Sequence, residues 1–283
     1  MNKSATIKLF LPFGDAKSVR TAEISNWSGK AIAAPRSELD HFVAREELSK
    51  PGIYILIGVD PGSGSSMAYV GEAESVADRI KQHKSKDFWN SAIAFVSKDE
   101  NLTKSHIRYL EGRLIQIAMD VGRYVVTNNQ SSGAKLPESD LNDMEVFLER
   151  ITQLLPVLGS ELLTPVLDKS VVEQSQEVLV CKRNGAVANG IRTPNGFVIL
   201  KGSTAVKELR QATKANGPWV INLRNQLVSN GSLVEKGEFL TFTKDVEFSS
   251  PSAAAAMVYA STAAGPVAWK NSSGQTLKEL ESN

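Results

Sequence analysis

The chain has 283 residues, of which 42% are hydrophobic and 22% charged, so it can build a core and is not globally disordered. Its 32 basic and 31 acidic residues leave a net charge of +1, which excludes a polybasic protein but not a locally basic face. The single cysteine, Cys181, excludes an internal disulfide framework and a cysteine-based zinc cluster. Its place in a predicted strand indicates a small buried side chain. The length predicts two domains.

Two stretches bear on membrane targeting, and neither has the expected pattern. Residues Met1–Phe13 lack the apolar centre and the small-residue cleavage site of a signal peptide. The longest uncharged stretch, Phe248–Trp269, is too polar and too interrupted by proline and glycine to span a bilayer. We therefore expect a cytoplasmic protein without a membrane partner.

The near-zero net charge conceals three charged blocks. Residues 79–123 contain nine basic and five acidic side chains, and residues 182–224 contain eight basic and one acidic. Between them, residues 138–177 contain nine acidic side chains and two basic ones. Such blocks indicate either solvated faces or a polyanionic partner, and charge alone leaves both interpretations open.

The first half of the chain alternates between strand and helix patterns, and Pro51-Gly52 breaks it after the first predicted helix. The two strands that follow this break form a predicted hairpin with a long glycine- and serine-rich connection. The predicted strands are Thr6–Pro12, Ala31–Ala34, Ile53–Val59, Ala68–Val70, Ala92–Val96 and Tyr124–Thr127, and the predicted helices are Ser37–Ser49, Ser75–Gln82 and Thr103–Val121.

An amphipathic helix is predicted at Ser139–Leu155, with Ser139 as its cap and Pro156 at its end. It lies in the acidic block, where we expect it to connect two domains. After it the pattern changes to short strands and glycine turns, typical of a small α+β domain. There the predicted strands are Val178–Lys182, Gly196–Leu200 and Phe239–Phe242, and the predicted helices are Val206–Thr213, Leu223–Ser229 and Ser252–Tyr259.

Two triplets in the predicted hairpin carry the main functional signal. Gly52-Ile53-Tyr54 opens its first strand, and Tyr69-Val70-Gly71 lies in its second. The next helix carries Arg79 and, four residues later, His83, which share a helical face if the helix extends that far. On the long helix Glu111 lies between Leu110 and Leu114, where a buried carboxylate needs a partner such as a metal ion.

This ordered set resembles the GIY-YIG nuclease family over about residues 50–130, with Val70 in place of the usual isoleucine. The resemblance implies a small mixed or antiparallel sheet flanked by helices. It implies a metal-dependent endonuclease that hydrolyses phosphodiester bonds in DNA, with RNA as an alternative substrate. The sequence leaves open the pathway (DNA repair, restriction or phage defence) and the oligomeric state, a dimer included.

The resemblance also implies a role for each residue of the motif. Tyr54 would help to activate the attacking water, as a tyrosinate or by relay, and Tyr69 would bind the scissile phosphate or share that task. Arg79 would clamp the phosphate, a task that suits its planar guanidinium. His83 would assist proton transfer.

Metal binding is assigned by the same resemblance. Glu111 would bind one divalent metal ion, with Mg²⁺ as the expected ion and Mn²⁺ as the alternative. An asparagine near the closing strand often completes the family's site. Asn128 and Asn129 both qualify, and we favour Asn128.

Each of these residues also has an ordinary structural interpretation. Tyrosines in strands commonly lie at the edge of a core. A single arginine on a short helix is usually a surface cation, and Glu111 could pair with Arg108 or Arg113. The order of the whole set is what favours the nuclease interpretation.

The segment Gly185–Lys270 resembles the C-terminal domain DUF4357 that is often fused to GIY-YIG proteins. The pieces that carry this resemblance are Gly185–Gly190, Gly196–Ser203, Leu223-Arg224, Phe248–Ala254 and Ala268–Lys270. It also looks like a module proposed to read modified DNA. Ser250 and Ser252 would open a helix whose amides bind a phosphate, and Trp269 would stack on a base; the alternative is a helix cap and a core tryptophan. The residues predicted to bind DNA are Lys81, Lys84, Lys201, Arg224, Ser250, Ser252 and Trp269.

The sequence as a whole predicts an α+β protein with four segments. Residues 1–49 hold N-terminal strands and a helix, which would extend the catalytic sheet or cover its edge. Residues 50–135 form the nuclease domain, residues 136–177 an acidic helical connector, and residues 178–283 a DNA-binding or target-sensing domain. Two rival hypotheses are a non-catalytic nucleic-acid-binding protein that retains the GIY-YIG fold, and an interaction protein that oligomerises through the acidic helix.

Overall fold

A computed structural model divides the chain into two compact units, Met1–Thr164 and Pro165–Asn283. Both units combine helices with sheets, which confirms the α+β class. No helix in the described part of the chain has the length and the apolar character that crossing a bilayer requires. The described residues are 4–62, 65–128, 133–167, 177–209, 213 and 217–282.

The first unit contains one seven-stranded sheet with the strand order β1-β2-β3-β6-β4-β5-β7. The N-terminal strands extend this sheet, because β3 pairs with β6 along its whole length. Neighbouring strands are antiparallel except β5 and β7, which are parallel. The strands are β1 Ile7–Phe10, β2 Arg20–Ile24, β3 Gly29–Pro35, β4 Gly52–Val59, β5 Ser66–Ala73, β6 Trp89–Ser97 and β7 Val125–Val126.

The helices of this unit are α1 Leu39–Val43, α2 Val76–Gln82, α3 Lys104–Val121 and α4 Glu138–Val157. The prediction of one continuous helix over Ser37–Ser49 is wrong. Only α1 is α-helical there, between 3₁₀ turns at Arg36–Glu38 and Glu46–Ser49. Extended backbone at Arg45, whose guanidinium binds the Glu47 carboxylate, separates α1 from the second turn.

Helices cover the sheet on both faces, as strand alternation requires. Ile53 and Ile55 of β4 pack in a core cluster with α3 and α4, whereas Tyr54 and Leu56 pack in a second cluster with α1 and α2. Helix α4, predicted to be a connector, therefore belongs to the core of the first unit. Its first residue follows Pro137, so Ser139 does not cap it.

The second unit contains two antiparallel sheets, with the strand orders β14-β10-β9-β8 and β11-β13-β12. The predicted helix Leu223–Ser229 is confirmed but begins at Pro218, and Ser252–Tyr259 is confirmed from Pro251. The predicted helix from Val206 is wrong at its start, because Val206 ends a strand; residues 210–212 lie outside the described part. The elements are β8 Leu179–Arg183, β9 Ala186–Thr193, β10 Gly196–Ile199, β11 Thr204–Val206, α5 Pro218–Ser229, β12 Leu233–Lys236, β13 Phe239–Phe242, β14 Val246–Phe248, α6 Pro251–Tyr259, α7 Gly265–Ala268 and α8 Leu277–Glu281.

Cys181 lies in β8 within the core of the second unit and is fully buried. Burial raises the pKa of its thiol to about 12, with a hydrogen bond from Tyr259 acting in the opposite direction. The prediction of a small buried side chain is confirmed.

Close packing at Gly58 provides a test of the hairpin. A Cβ there would lie 1.9 Å from the carbonyl oxygen of Phe88 and 2.7 Å from Cα of Trp89, and backbone atoms cannot rotate away. We expect Gly58→Ala to lower the free energy of unfolding by about 1–3 kcal/mol, measured by urea denaturation. Gly62→Ala is the control, since a Cβ there meets only the carboxylate of Asp60 at 3.3 Å. Equal stability of the two variants would contradict this packing.

Candidate functional site

The two triplets of the motif meet across the hairpin, where Tyr54 of β4 pairs with Gly71 of β5. The phenol of Tyr54 lies over Gly71. A Cβ on that glycine would be 2.3 Å from Cζ and Oη of Tyr54. Because Gly71 has no side chain, it leaves the space that the Tyr54 phenol occupies.

The Tyr54 phenol is fully buried, and its oxygen lies 2.8 Å from Nε2 of His83. His83 follows the last residue of α2, and its carbonyl accepts a hydrogen bond from the indole of Trp89 at 3.0 Å. The ring of Tyr69 lies 6.1 Å from that of Tyr54 and 5.1 Å from that of His83, between ring centres. The structure thus brings together Tyr54, Tyr69 and His83.

Two cations border this group. The exposed Arg79 donates from Nη1 to Oε1 of Gln82 at 2.9 Å. A hydrogen bond with Tyr54 and the nearby oxygen of that phenol raise the pKa of Arg79. Nζ of Lys86 lies 3.9 Å from the centre of the Tyr69 ring, within the range of a cation–π contact. We call Tyr54, Tyr69, Arg79, His83 and Lys86 the tyrosine cluster.

The environment keeps the two buried members of the tyrosine cluster uncharged at neutral pH. Burial and the neighbouring Tyr69 raise the pKa of the Tyr54 phenol, with Arg79 opposing this shift. Burial, followed by the charges of Lys86 and Arg79, lowers the pKa of His83 to about 4. A neutral phenol and a neutral imidazole are the pair that shares one proton in a hydrogen bond.

Lys86 is the member of the tyrosine cluster that sequence reasoning missed. Its segment is held by Arg36, whose Nη1 donates to the carbonyls of Lys86 at 2.7 Å and Trp89 at 3.1 Å, and whose Nη2 donates to that of Lys84 at 2.8 Å. Arg36 also lies over the Trp89 ring, 4.6 Å from its centre. Because this anchor comes from 50 residues earlier in the chain, no local pattern indicates it.

Glu111 lies on α3, which packs on the opposite face of the sheet from α2. Its side chain is buried, and the charge of Glu111, after burial, raises the pKa of the neighbouring Glu72 on β5. The charges of Lys104 and Arg108 oppose this shift, and a divalent cation held by the two carboxylates would oppose it further. The described residues contain no group of three or more metal-binding side chains. Mg²⁺ typically takes one or two carboxylates besides waters and substrate phosphates, so this pair fits it.

The Asn128 side chain is occupied by the backbone of β5. Its Nδ2 donates to the carbonyl of Val70 at 2.6 Å, and its Oδ1 accepts from the amide of Val70 at 3.1 Å. This amide therefore holds the chain after β7 against the strand that carries Tyr69. The alternative, Asn129, lies outside the described residues.

The two lysines predicted for the first unit are exposed. Lys81 pairs with Asp78 at 3.1 Å, and Lys84 lies 3.6 Å from Asp40. Exposed pairs of this kind contribute little to stability, so both ammonium groups can exchange their partner for a phosphate.

Two predicted DNA contacts of the second unit are wrong, because both side chains are buried. Arg224 is 4% exposed, and its guanidinium donates to the carbonyls of Met257 and, at 2.6 Å, of Val206. Burial lowers its pKa to about 10. Trp269 is fully buried and packs on Phe197 with 4.4 Å between ring centres. Its indole N–H donates to the carbonyl of Pro251 at 2.9 Å.

The serines at the start of α6 also have structural partners. Ser250 caps the helix by accepting the amide of Ala253 at 3.1 Å, and Ser252 accepts the amide of Gly265 at 3.0 Å. Gly265 packs on the first turn so closely that a Cβ there would lie 2.2 Å from the backbone nitrogen of Ser252. A phosphate cannot occupy the same space, so the predicted phosphate site is wrong. Lys201 is exposed, as its predicted role requires.

The comparison with known families concerns the second unit. Residues 179–281 match the family model described as a domain of unknown function, DUF4357. The second unit is therefore similar to that domain over nearly all of its length. No curated protein and no solved structure matches the chain.

The lowered pKa of His83 predicts a pH-dependent stability. The unfolded chain takes up a proton at His83 near pH 6.5 and the folded chain only near pH 4, so stability falls as the pH drops from 6.5 to 4. We expect His83→Gln to remove up to about 3 kcal/mol of this pH dependence, measured by urea denaturation across that range. The exposed His41 gives the control His41→Gln. The same pH profile in His83→Gln and the wild type would contradict the assignment.

Because the guanidinium of Arg224 is buried, we expect its substitution to lower stability and not to weaken DNA binding directly. Arg224→Met keeps most of the apolar stem but leaves two carbonyls without a donor, so we expect the free energy of unfolding to fall by about 2–3 kcal/mol. Arg192→Met is the control, because Arg192 is exposed and its salt bridge in the described part of the chain is with Glu281, at 3.2 Å. Weaker DNA binding by a fully stable Arg224→Met variant would restore the original prediction.

Proposed function

We propose that the first unit is a GIY-YIG endonuclease domain that hydrolyses phosphodiester bonds in DNA with the help of one divalent metal ion. The tyrosine cluster carries this proposal, above all the hydrogen-bond distance of 2.8 Å between Tyr54 and His83. Such a buried, uncharged pair beside two cations matches the needs of phosphoryl transfer, where positioning and electrostatic stabilisation dominate.

In this mechanism Arg79 and Lys86 bind the scissile phosphate. Arg79 is exposed and its guanidinium has donors beyond the one directed at Gln82, so it can reach a phosphate in a bidentate manner. Lys86 lies over Tyr69 and adds a second positive charge on the same face of the sheet. Their charges would stabilise the negative charge that develops on the phosphate oxygens.

Tyr54 and His83 handle the proton of the attacking water. The raised pKa of Tyr54 disfavours a standing tyrosinate, so we favour the relay, in which His83 accepts the phenol proton while the phenol takes one from water. Burial lowers the pKa of His83 in the free protein, and the charges of Lys86 and Arg79 lower it further. A bound phosphodiester would neutralise those two charges and raise that pKa, which makes the imidazole a better base.

Glu111 would hold the metal ion, with Glu72 as the adjacent carboxylate. A bound Mg²⁺, or Mn²⁺ in its place, would supply positive charge at these carboxylates. The second unit would bind or sense the target nucleic acid, with DNA as the expected partner and RNA as the alternative. Lys81, Lys84 and Lys201 remain the surface cations that support this role.

Removing the phosphate clamp or the metal ligand tests the nuclease proposal. We expect Arg79→Ala and Glu111→Gln each to slow Mg²⁺-dependent nicking of supercoiled plasmid by about 10²–10³-fold, because each removes charge stabilisation of the transition state. EDTA should abolish cleavage by the wild type. Unmodified and modified plasmids are compared in parallel, so that a preference of the second unit becomes visible.

Two variants serve as matched controls. Arg150 donates to Gln153 three residues ahead at 2.8 Å, as Arg79 does to Gln82, so Arg150→Ala removes a similar arginine outside the tyrosine cluster. Glu149→Gln neutralises an exposed carboxylate on α4. Full activity in a folded Arg79→Ala or Glu111→Gln variant contradicts the role of that residue. Binding without cleavage under every metal condition favours the non-catalytic rival.

A further inference from the structure

The second unit has a cleft of about 610 Å³ at the edge of its four-stranded sheet, within the size range of small-molecule sites. Lys182 and Lys270 line it together with the apolar side chains of Val180 and Val267 and with Tyr259. We call this feature the lysine cleft. It does not involve the buried Arg224 or Trp269, so it is separate from the contacts that the sequence predicted.

Backbone pairing directs the two lysines to the same side of the cleft. Val180 of the edge strand β8 and Lys270 exchange both backbone hydrogen bonds, at 2.7 and 3.0 Å. Residues directly opposite each other in such a pair share a face, and Lys182 follows Val180 by two residues on that face. The two lysines are therefore diagonal neighbours, whose Cα atoms are typically about 7–8 Å apart.

The turn after Lys270 is rigidly built. Oδ1 of Asn271 accepts from the amides of Ser273 at 3.1 Å and Gln275 at 2.9 Å, and from the hydroxyl of Ser273 at 2.8 Å. The buried Trp269 and Leu277 anchor the two ends of the segment. A ligand would thus meet a backbone that is already in place, which lowers the entropic cost of binding.

The lining of the lysine cleft combines positive charge with an apolar wall. No carboxylate lines the cleft, and among the described salt bridges neither lysine has a partner within 4 Å. Hydrogen bonds with Thr276 mainly lower the pKa of Glu279, and the charge of Lys270 adds to that effect. Tyr259 offers an aromatic ring, near which the guanidinium of Arg183 lies at 5.1 Å from the ring centre. The complementary ligand is an anion with a flat or apolar body.

We propose that the lysine cleft binds a nucleotide unit, with its phosphate on Lys182 and Lys270 and its base against Tyr259 and Val267. Phosphates suit paired ammonium groups, and bases stack on aromatic side chains. The choice of a nucleotide among anions with an apolar body rests on the proposed nucleic-acid function. The nucleotide comes either as a free mononucleotide or as the phosphorylated end of a strand.

Calorimetric titration of the full chain in EDTA tests this site without any cleavage. The probes are deoxyadenosine 5′-monophosphate, deoxyadenosine, deoxyribose 5-phosphate and a 5′-phosphorylated oligonucleotide. We expect the mononucleotide to bind more tightly than either of its parts. The double variant Lys182→Gln/Lys270→Gln should bind it at least about tenfold more weakly, since hydrogen bonds to charged groups are worth about 1.5–3 kcal/mol.

Lys236→Gln/Lys278→Gln is the control, because both lysines are exposed outside the cleft and the variant loses the same charge. Unchanged nucleotide binding by the cleft variant, no binding by the wild type at millimolar concentration, or equal binding of deoxyribose 5-phosphate would each overturn the proposal. Tighter binding of the oligonucleotide than of the mononucleotide identifies a strand end as the source, and the reverse identifies a free nucleotide. Plasmid nicking by the cleft variant distinguishes failure of this site from failure of the nuclease proposal.

Discussion

The packing of the Tyr54 phenol over Gly71 is the contact on which the rest of the candidate site depends. Two neighbouring strands create it, and it leaves the phenol oxygen 2.8 Å from the imidazole of His83 at the end of the next helix. The carbonyl of His83 in turn holds Trp89, and Arg36 holds the segment between them. A side chain at position 71 would displace the phenol and with it this whole chain of contacts.

The sheet lies between the two cations of the tyrosine cluster and the candidate metal ligand. Arg79 and Lys86 lie on the face covered by α2, where burial and then their charges lower the pKa of His83. Glu72 and Glu111 lie on the face covered by α3, where burial and then the charge of Glu111 raise the pKa of Glu72, while Lys104 and Arg108 oppose this shift. The proposed reaction would place an anion beside the first group and a divalent metal ion beside the second.

The second unit shows why sequence reasoning about binding residues succeeds unevenly. Charge and residue type suggested Arg224 and Trp269 as DNA-binding residues, but charge and residue type do not indicate whether a side chain is exposed. Val220, Arg224 and Leu227 recur at helical spacing on α5, and all three are buried, so the periodicity around Arg224 already contained the signal for a core position. The structural interpretation of Ser250 as a helix cap, and of Trp269 as a core residue, was equally available from the sequence and is the correct one.

The sequence by itself determined the local features: the strands β4 and β5, the helices α2 and α3, the α+β class and the burial of Cys181. These follow from periodicity and capping, which act over a few residues. Only the tertiary structure decided that Arg36 holds Lys86 over Tyr69, that Glu72 approaches Glu111, and that Lys182 and Lys270 share a cleft. Each of those contacts joins segments far apart in the chain, and its existence depends on sheet order and packing, which no local pattern encodes.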